Sequence, residues 1–277
     1  MALGSVRVVA VTTARPGSGA GRLLREWRER RRLSQLELSN RAAVSTRHLS
    51  YVETGRSRPS RELLLHLAEE LDVPLHERNT LLVAAGFAPV YRETPIDAPE
   101  MAAIREALER VLRGHEPYPA VVVNRHWELV MGNAALAVLI EGVTPDLLAP
   151  PVNVLRVALH PDGLARRVAN FDEYSAHLVG RLRREVDRSA DPVLAALLVE
   201  LEGYPGVSVD VADLEAEAAS RNVVLPVVLD EDGDRLSFFS TIATFGTALD
   251  VTLADLAIEA FFPADDATAT ALRHRFG

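Results

Sequence analysis

The segment from residue 44 to residue 59 carries side chains that could form hydrogen bonds with nucleic acid. In a helix of about 3.6 residues per turn, Leu49 and Val52 share one side, and Arg47 lies on the opposite side. Arginine offers a forked donor that matches a guanine edge, and short hydroxyl side chains can bind a base or touch a thymine methyl group. The residues predicted here to contact bases or phosphates are Ser45, Thr46, Arg47, Ser50, Tyr51, Arg56 and Arg58.

Five short helices are predicted to position these residues, because apolar side chains recur at helical spacing over residues 22–86. Ser34 and Glu37 form a capping box, and Ser45 and Ser60 precede two further helices. None of the helices is long enough to be stable alone, so the sequence predicts one compact bundle. The second and third helices have the spacing of a helix-turn-helix, whose second helix enters the major groove of DNA.

The charge is divided unevenly along the chain. Residues 1–92 carry 15 arginines and 9 acidic residues, a net charge of +6. Residues 93–277 carry 15 arginines and 30 acidic residues, a net charge of -15. The total of -9 therefore conceals a basic module and an acidic module, which predicts different partners for each. A plain helical bundle with a solvated arginine face is the alternative for the first module.

The stretch "LSQLELSNRAAVSTRHLSYVETGRSRPS" resembles the xenobiotic-response-element family of phage-repressor-like helix-turn-helix proteins. The matching features are Gln35, Val44-Ser45, Glu53-Thr54-Gly55 and Pro59. Ala43 stands where that family often has glycine. The resemblance implies that Gln35 contacts a phosphate or a base and that Arg28 pairs with Glu53. A carboxylate near the apolar side of a helix needs such a partner if it is buried.

The second module has a mixed pattern. "YPAVVVNRHWELVMGN" predicts two strands, and "NVVLPVVLDEDGDRLSFFSTIATFG" predicts two more around an acidic turn. The predicted fold class is α+β, with a five-helix helix-turn-helix bundle followed by a domain with an approximately five-stranded antiparallel sheet and inserted helices. The predicted divisions are a disordered tail (1–19), the helix-turn-helix domain (20–92), a linker with a connecting helix (93–115) and the second domain (116–277).

Residues 116–270, and most clearly the "FGT" and "FFPAD" segments, resemble the MmyB-like transcription regulators, whose C-terminal domain is a PAS-like ligand-binding domain. The resemblance implies a dimeric regulator that binds double-stranded DNA and a small apolar ligand, such as a fatty acid or an acyl compound. We expect an enclosed apolar cavity between the sheet and the helices at 150–203. The predicted ligand-binding residues are Asn124, Trp127, Met131, Phe238 and Phe245, with Arg156 or Arg167 as a carboxylate anchor. As alternatives, Trp127 and Met131 belong to the core and the two arginines are exposed.

The sequence lacks the signatures of disulfide, catalytic, calcium-binding and membrane proteins. The chain has no cysteine, so disulfides and thiolate chemistry are excluded. It has no Ser-His-Asp, P-loop or dinucleotide signature, so we expect neither an enzyme nor a cofactor. The acidic turn at 230–234 departs from the calcium-loop pattern and predicts a hairpin. Because no apolar run approaches about 20 residues, we expect a cytoplasmic protein without a membrane contact. An enzyme or a ligand-free interaction module tethered to DNA remains the alternative function.

Overall fold

The computed structural model describes residues 18–208, 226–231, 234–246 and 248–276. The chain divides into two compact units, Met1–Tyr91 and Arg92–Gly277. Residues 1–17 of the predicted tail and residues 232–233 of the predicted hairpin turn lie outside the described residues. The last two residues of the predicted tail, Ser18 and Gly19, belong to the first helix.

The described part of the first unit folds into five helices, which confirms the sequence prediction. They are α1 (Ser18–Arg30), α2 (Gln35–Arg41), α3 (Thr46–Glu53), α4 (Arg61–Glu70) and α5 (Leu75–Ala84). The side chains of Ser34, Ser45 and Ser60 each accept a hydrogen bond from the backbone N–H three residues later. Glu37 completes the capping box by accepting from the backbone N–H of Ser34 at 2.7 Å. These caps satisfy donors that the first turn of a helix otherwise leaves unpaired.

The apolar faces of these helices meet in one core. Trp27 from α1, Leu49 from α3 and Leu67 from α4 are each at most 2% exposed. Helices α1 and α3 approach closely at Gly21, where an added Cβ would lie 2.2 Å from the carbonyl oxygen of Val52. Because no side chain fits that gap, Gly21 sets the distance between α1 and α3.

A buried ion pair ties three helices together and confirms the pairing that the sequence predicted. Arg28 donates to both carboxylate oxygens of Glu53, with Nε–Oε1 at 2.7 Å and Nη2–Oε2 at 2.9 Å. The Glu53 side chain is only 1% exposed. Gln35 Nε2 donates to the same carboxylate at 2.8 Å, and Arg28 Nη1 donates to the carbonyl of Leu33 at 2.7 Å. The hydrogen bonds that Arg28 donates to Glu53 raise the pKa of Arg28 above its usual value.

Residues 87–98, which include the start of the predicted linker at 93, have no helix or strand, but hydrogen bonds fix both ends of this segment. In the first unit, Asn79 Oδ1 accepts from the backbone N–H groups of Val90 and Tyr91. In the second unit, Thr94 Oγ1 donates to Asp250 Oδ2 at 2.6 Å. The boundary of the two compact units falls between these two sets of bonds, after Tyr91.

The described part of the second unit combines a sheet with helices. Its helices are α6 (Ala102–Gly114), α7 (Ala137–Ile140), α8 (Val154–Leu159), α9 (Phe171–Ser189), α10 (Pro192–Glu202), α11 (Val251–Ala254) and α12 (Asp266–Phe276). Its strands are β1 (Ala120–Val123), β2 (Leu129–Gly132), β3 (Val227–Glu231), β4 (Asp234–Thr244) and β5 (Ala257–Pro263). Short 3₁₀ turns at Pro99–Met101, Ala134–Leu136, Pro145–Leu148 and Leu164–Arg167 connect them.

The five strands form one antiparallel sheet in the order β2-β1-β5-β4-β3. Side chains alternate between its faces. Val121 and Val123 point toward the inserted helices and join a core with Leu178 of α9. The alternate residues Ala120 and Val122 pack with α6 on the other face. The α+β fold class predicted from the sequence is confirmed.

Asn133 bonds to backbone groups of neighbouring elements and does not cap the turn that follows it. It lies at the start of the 3₁₀ turn before α7, but its side chain makes no capping bond. Its Oδ1 accepts from the backbone N–H of Ala120 at 3.1 Å, and its Nδ2 donates to the carbonyls of Leu112 and Tyr118. Asn133 is only 9% exposed. Its hydrogen bonds therefore satisfy backbone groups that are buried where α6 meets β1.

Candidate nucleic-acid interface and candidate ligand cavity

Helices α2 and α3 have the geometry of a helix-turn-helix. The turn between them passes through Ala43, whose φ of 51° lies in the left-handed region. Glycine adopts that region without strain because it has no Cβ atom. This explains why the position that Ala43 occupies favours glycine. Ser39 and Thr46 join the two helices through a 2.8 Å hydrogen bond between their hydroxyl oxygens.

The outer face of α3 presents the arginine and tyrosine predicted to contact DNA. Arg47 is exposed, and its Nε donates to the hydroxyl of Tyr51 at 3.1 Å. The guanidinium carbons of Arg47 and Arg56 lie 5.4 and 6.0 Å from the centre of the Tyr51 ring. The half-buried Ser50 lies one turn from Thr54, which donates to its carbonyl. Arg58 is exposed in the following loop. The structure therefore brings Arg47, Tyr51 and Arg56 together on the outer side of α3.

Three other predicted contacts are already bonded within the protein. The Ser45 hydroxyl caps α3 by accepting from the backbone N–H of His48 at 3.2 Å. Thr46 is bonded to Ser39, and the amide nitrogen of Gln35 is bonded to Glu53. The bonds of Thr46 and Gln35 place α3 relative to α2. Contacts of Gln35, Ser45 and Thr46 with DNA remain a prediction.

The second unit contains a mainly apolar cavity of about 240 Å³. It lies between the sheet and helices α7, α8 and α9. Helices α8 and α9 belong to the predicted wall at 150–203, whereas α7 does not, and the cavity is partly open where the sequence predicted an enclosed one. Fifteen of its 18 lining residues are apolar. They are Val121, Leu129, Leu136, Leu139, Ile140, Leu148, Val152, Val154, Leu155, Val157, Ala158, Leu164, Leu178, Val227 and Phe261. Such a surface favours apolar molecules by excluding water from them.

The three polar residues of the lining are Tyr174, Arg181 and Glu259. Tyr174 and Arg181 lie two turns apart on the same face of α9, and Glu259 projects from β5. Arg181 Nη1 lies 3.5 Å from Glu259 Oε1, and their side chains are 20% and 9% exposed. Ser240 Oγ on β4 donates to the same Glu259 oxygen at 2.9 Å. An ion pair therefore sits in an otherwise apolar wall.

Trp127 lies behind this ion pair. The Arg181 guanidinium carbon is 4.3 Å from the centre of the Trp127 ring, within the range of a cation–π contact. Trp127 Nε1 donates to Glu185 Oε2 at 3.0 Å. Burial raises the pKa of Glu185, although the Trp127 hydrogen bond and the Arg181 charge oppose the shift. Burial also raises the pKa of the Tyr174 hydroxyl above its usual value, and the Glu259 carboxylate adds to that effect.

The ligand-binding residues predicted from the sequence do not line this cavity. Trp127 supports Arg181 from behind, and Phe238 is fully buried in the neighbouring core. Met131 and Phe245 pack on the opposite face of the sheet with α6. Asn124 organises the β1–β2 turn, where its Oδ1 accepts from the backbone N–H groups of His126 and Glu128.

The two arginines proposed as anchors are also occupied elsewhere. Arg156 forms a two-point ion pair with Glu200, at 2.7 and 2.8 Å. Arg167 Nη1 donates to the carbonyls of Val138 and Glu141, each at 3.0 Å. The sequence reasoning missed Arg181 and Glu259. The spacing of Tyr174, Leu178 and Arg181 along one helical face was the signal that could have identified α9 as the wall.

The described residues contain no group of three or more His, Asp or Glu side chains placed to hold a metal ion. No helix among them is both long and apolar enough to cross a lipid bilayer.

Each of the two units matches a known protein family model. A model of the MmyB-like transcription regulator ligand binding domain matches residues 104–274, and a helix-turn-helix domain model matches residues 20–81. Two crystal structures of the clp gene regulator ClgR from Corynebacterium glutamicum are 27% identical, each with a TM-score of 0.24. One match covers 26% of this chain and 91% of that chain, and the other covers 38% and 97%. No curated protein matches the chain. Since the first model spans more than half of it, the chain belongs to the MmyB-like transcription regulators and joins their ligand-binding domain to a DNA-binding helix-turn-helix.

Proposed function

We propose that this regulator binds a small apolar molecule in the cavity between its sheet and helices α7–α9, and that occupancy changes its affinity for an operator. The apolar lining of a cavity of about 240 Å³ is the observation that carries this proposal. The expected ligands carry a hydrocarbon chain, as fatty acids and other acyl compounds do. The polar group at one end would meet Tyr174, Arg181 or Glu259.

On the DNA side, Arg47 is the proposed base reader, because it is exposed on α3 and its guanidinium fork matches a guanine edge. Tyr51 orients Arg47 through their hydrogen bond. Arg56 and Arg58 follow the helix and would bind phosphates, which position the protein without reading sequence. A homodimer acting in the cytoplasm, with one α3 in each half-site, completes the proposal.

Thermal unfolding with decyl compounds tests the ligand proposal. A ligand present at about 100 times its dissociation constant adds roughly 2.7 kcal/mol to the stability of the unit that binds it. In the Ala158→Phe variant a ring fills space in the cavity wall, so the stabilisation should be lost. Ala137→Phe, which places the same ring at an exposed position of α7, is the matched control and should keep it. Equal stabilisation of both variants would place the ligand elsewhere.

A further inference from the structure

The charge of the cavity wall bears on which polar group a ligand can carry. Arg181 is the cation of the lining, and Glu259 already lies 3.5 Å from it. Glu259 itself accepts a hydrogen bond from the Ser240 hydroxyl, and its side chain is 9% exposed. The lining therefore contributes one positive and one negative charge, and the two compensate each other.

A ligand carboxylate would have to approach Arg181 beside the Glu259 carboxylate. Two like charges within a few ångströms repel strongly where water is scarce. One face of the Arg181 guanidinium is covered by the Trp127 ring at 4.3 Å, so a ligand cannot avoid Glu259 by using that face. Glu185 lies one turn beyond Arg181 on α9, accepts from Trp127 Nε1 and is a second carboxyl group that interacts with the Arg181 charge. An incoming anion thus meets a cation that already interacts with two carboxyl groups.

An uncharged polar group can form hydrogen bonds with the lining without repulsion from Glu259. The guanidinium of Arg181 has five N–H donors, and the Tyr174 hydroxyl can both donate and accept. None of the hydrogen bonds among the described residues involves the Tyr174 hydroxyl. An alcohol, ester or amide oxygen could accept from these groups without adding charge, and a hydroxyl could also donate to Glu259.

Resting on the proposed function of an apolar-ligand sensor, we infer that this cavity selects chain molecules with an uncharged polar end over ionised fatty acids, and that Glu259 determines this selectivity. Glu259 occupies the place of the ligand carboxylate as the partner of Arg181. The ligand class is then a fatty alcohol, ester or amide, and the free fatty acid is the disfavoured form.

Titration calorimetry with four decyl probes tests the inference on the full-length wild-type chain at neutral pH. The probes are decanol, decanamide, decanoate and decylamine, which share the hydrocarbon length and differ in the charge of the polar end. Decanol and decanamide should bind on the order of tenfold more tightly than decanoate or decylamine, a difference of about 1.4 kcal/mol. This comparison needs no variant.

The Glu259→Gln variant then assigns the selectivity. It leaves Arg181 without its carboxylate partner, so decanoate should gain on the order of tenfold and reach about the affinity of decanol. Glu109→Gln, at an exposed position of α6, should keep the wild-type order. Tighter binding of decanoate or decylamine than of decanol to the wild type would overturn the inference and leave the apolar-ligand proposal intact. If none of the four probes bound, the proposed function would fall together with the inference.

Discussion

Replacement of Arg28 by methionine should destabilise the first unit severely. Arg28 supplies two hydrogen bonds to the Glu53 carboxylate, and Gln35 supplies one. Methionine has a similar chain length but no charge and no donors. Glu53 would remain 1% exposed with only Gln35 as a partner. Removing one partner of a buried ion pair costs roughly 3–5 kcal/mol, because an uncompensated charge stays in the core.

Scanning calorimetry of the full-length chain measures this effect. A loss of 1 kcal/mol lowers the Tm of a domain of 60–100 residues by about 4–8 °C, so the transition of the first unit should fall by more than roughly 10 °C. Arg25→Met is the control, because Arg25 pairs with Glu29 on the same helix but both side chains are more than half exposed. The double variant Arg28→Met/Glu53→Leu should regain much of the loss, since it also removes the buried charge. The reasoning is refuted if Arg28→Met melts at the same temperature as Arg25→Met.

Three further predictions concern the first unit. Gly21→Ala should lower the Tm of this unit in calorimetry by an amount equivalent to about 1–3 kcal/mol, because the new methyl group would overlap the Val52 carbonyl oxygen; a wild-type Tm would contradict the close packing of α1 on α3. Ala43→Gly should stabilise the unit by about 0.5–1 kcal/mol in urea unfolding, since it relieves the left-handed backbone; a loss of stability would contradict this. Arg47→Ala should cost about 1–3 kcal/mol of binding to the preferred operator and relax one base position, whereas Arg58→Ala should weaken all sequences equally; selection from randomised DNA with each variant distinguishes the two roles.

The helices of the first unit could be predicted because their signals are local. Serine caps at Ser34, Ser45 and Ser60 mark where helices begin, and the structure has all three. The pairing of Arg28 with Glu53 was implied by the family resemblance, and the place of Glu53 near the apolar side of its helix supported it. The left-handed backbone at Ala43 was harder to predict from the sequence, because the packing of the two helices determines the conformation of the short turn between them.

The lining of the cavity depends on which face of the sheet each residue occupies, and that is not a local property. A register shift between Val122 and Val123 interrupts the pairing of β1 with β2, so simple alternation along β2 misplaces Met131. Trp127 has a φ of 63° in the turn between these strands. Its backbone is therefore not extended, and the alternation of side chains along a strand does not apply to it. Arg156 and Arg181 are both helical arginines. Only the fold reveals that Arg156 has Glu200 as a two-point partner and that Arg181 faces the cavity.

The central claim is that occupancy of the cavity changes operator affinity, and one titration tests it directly. The operator, selected first from randomised DNA, is titrated with the wild-type chain in the absence and presence of saturating decanol. Coupling between two sites typically changes affinity by about 5–150-fold, so the two dissociation constants should differ by at least about fivefold. The Ala158→Phe variant should show no such difference, and Ala137→Phe should behave as the wild type. Identical operator affinity with and without decanol, under conditions where calorimetry shows decanol bound, would contradict the account.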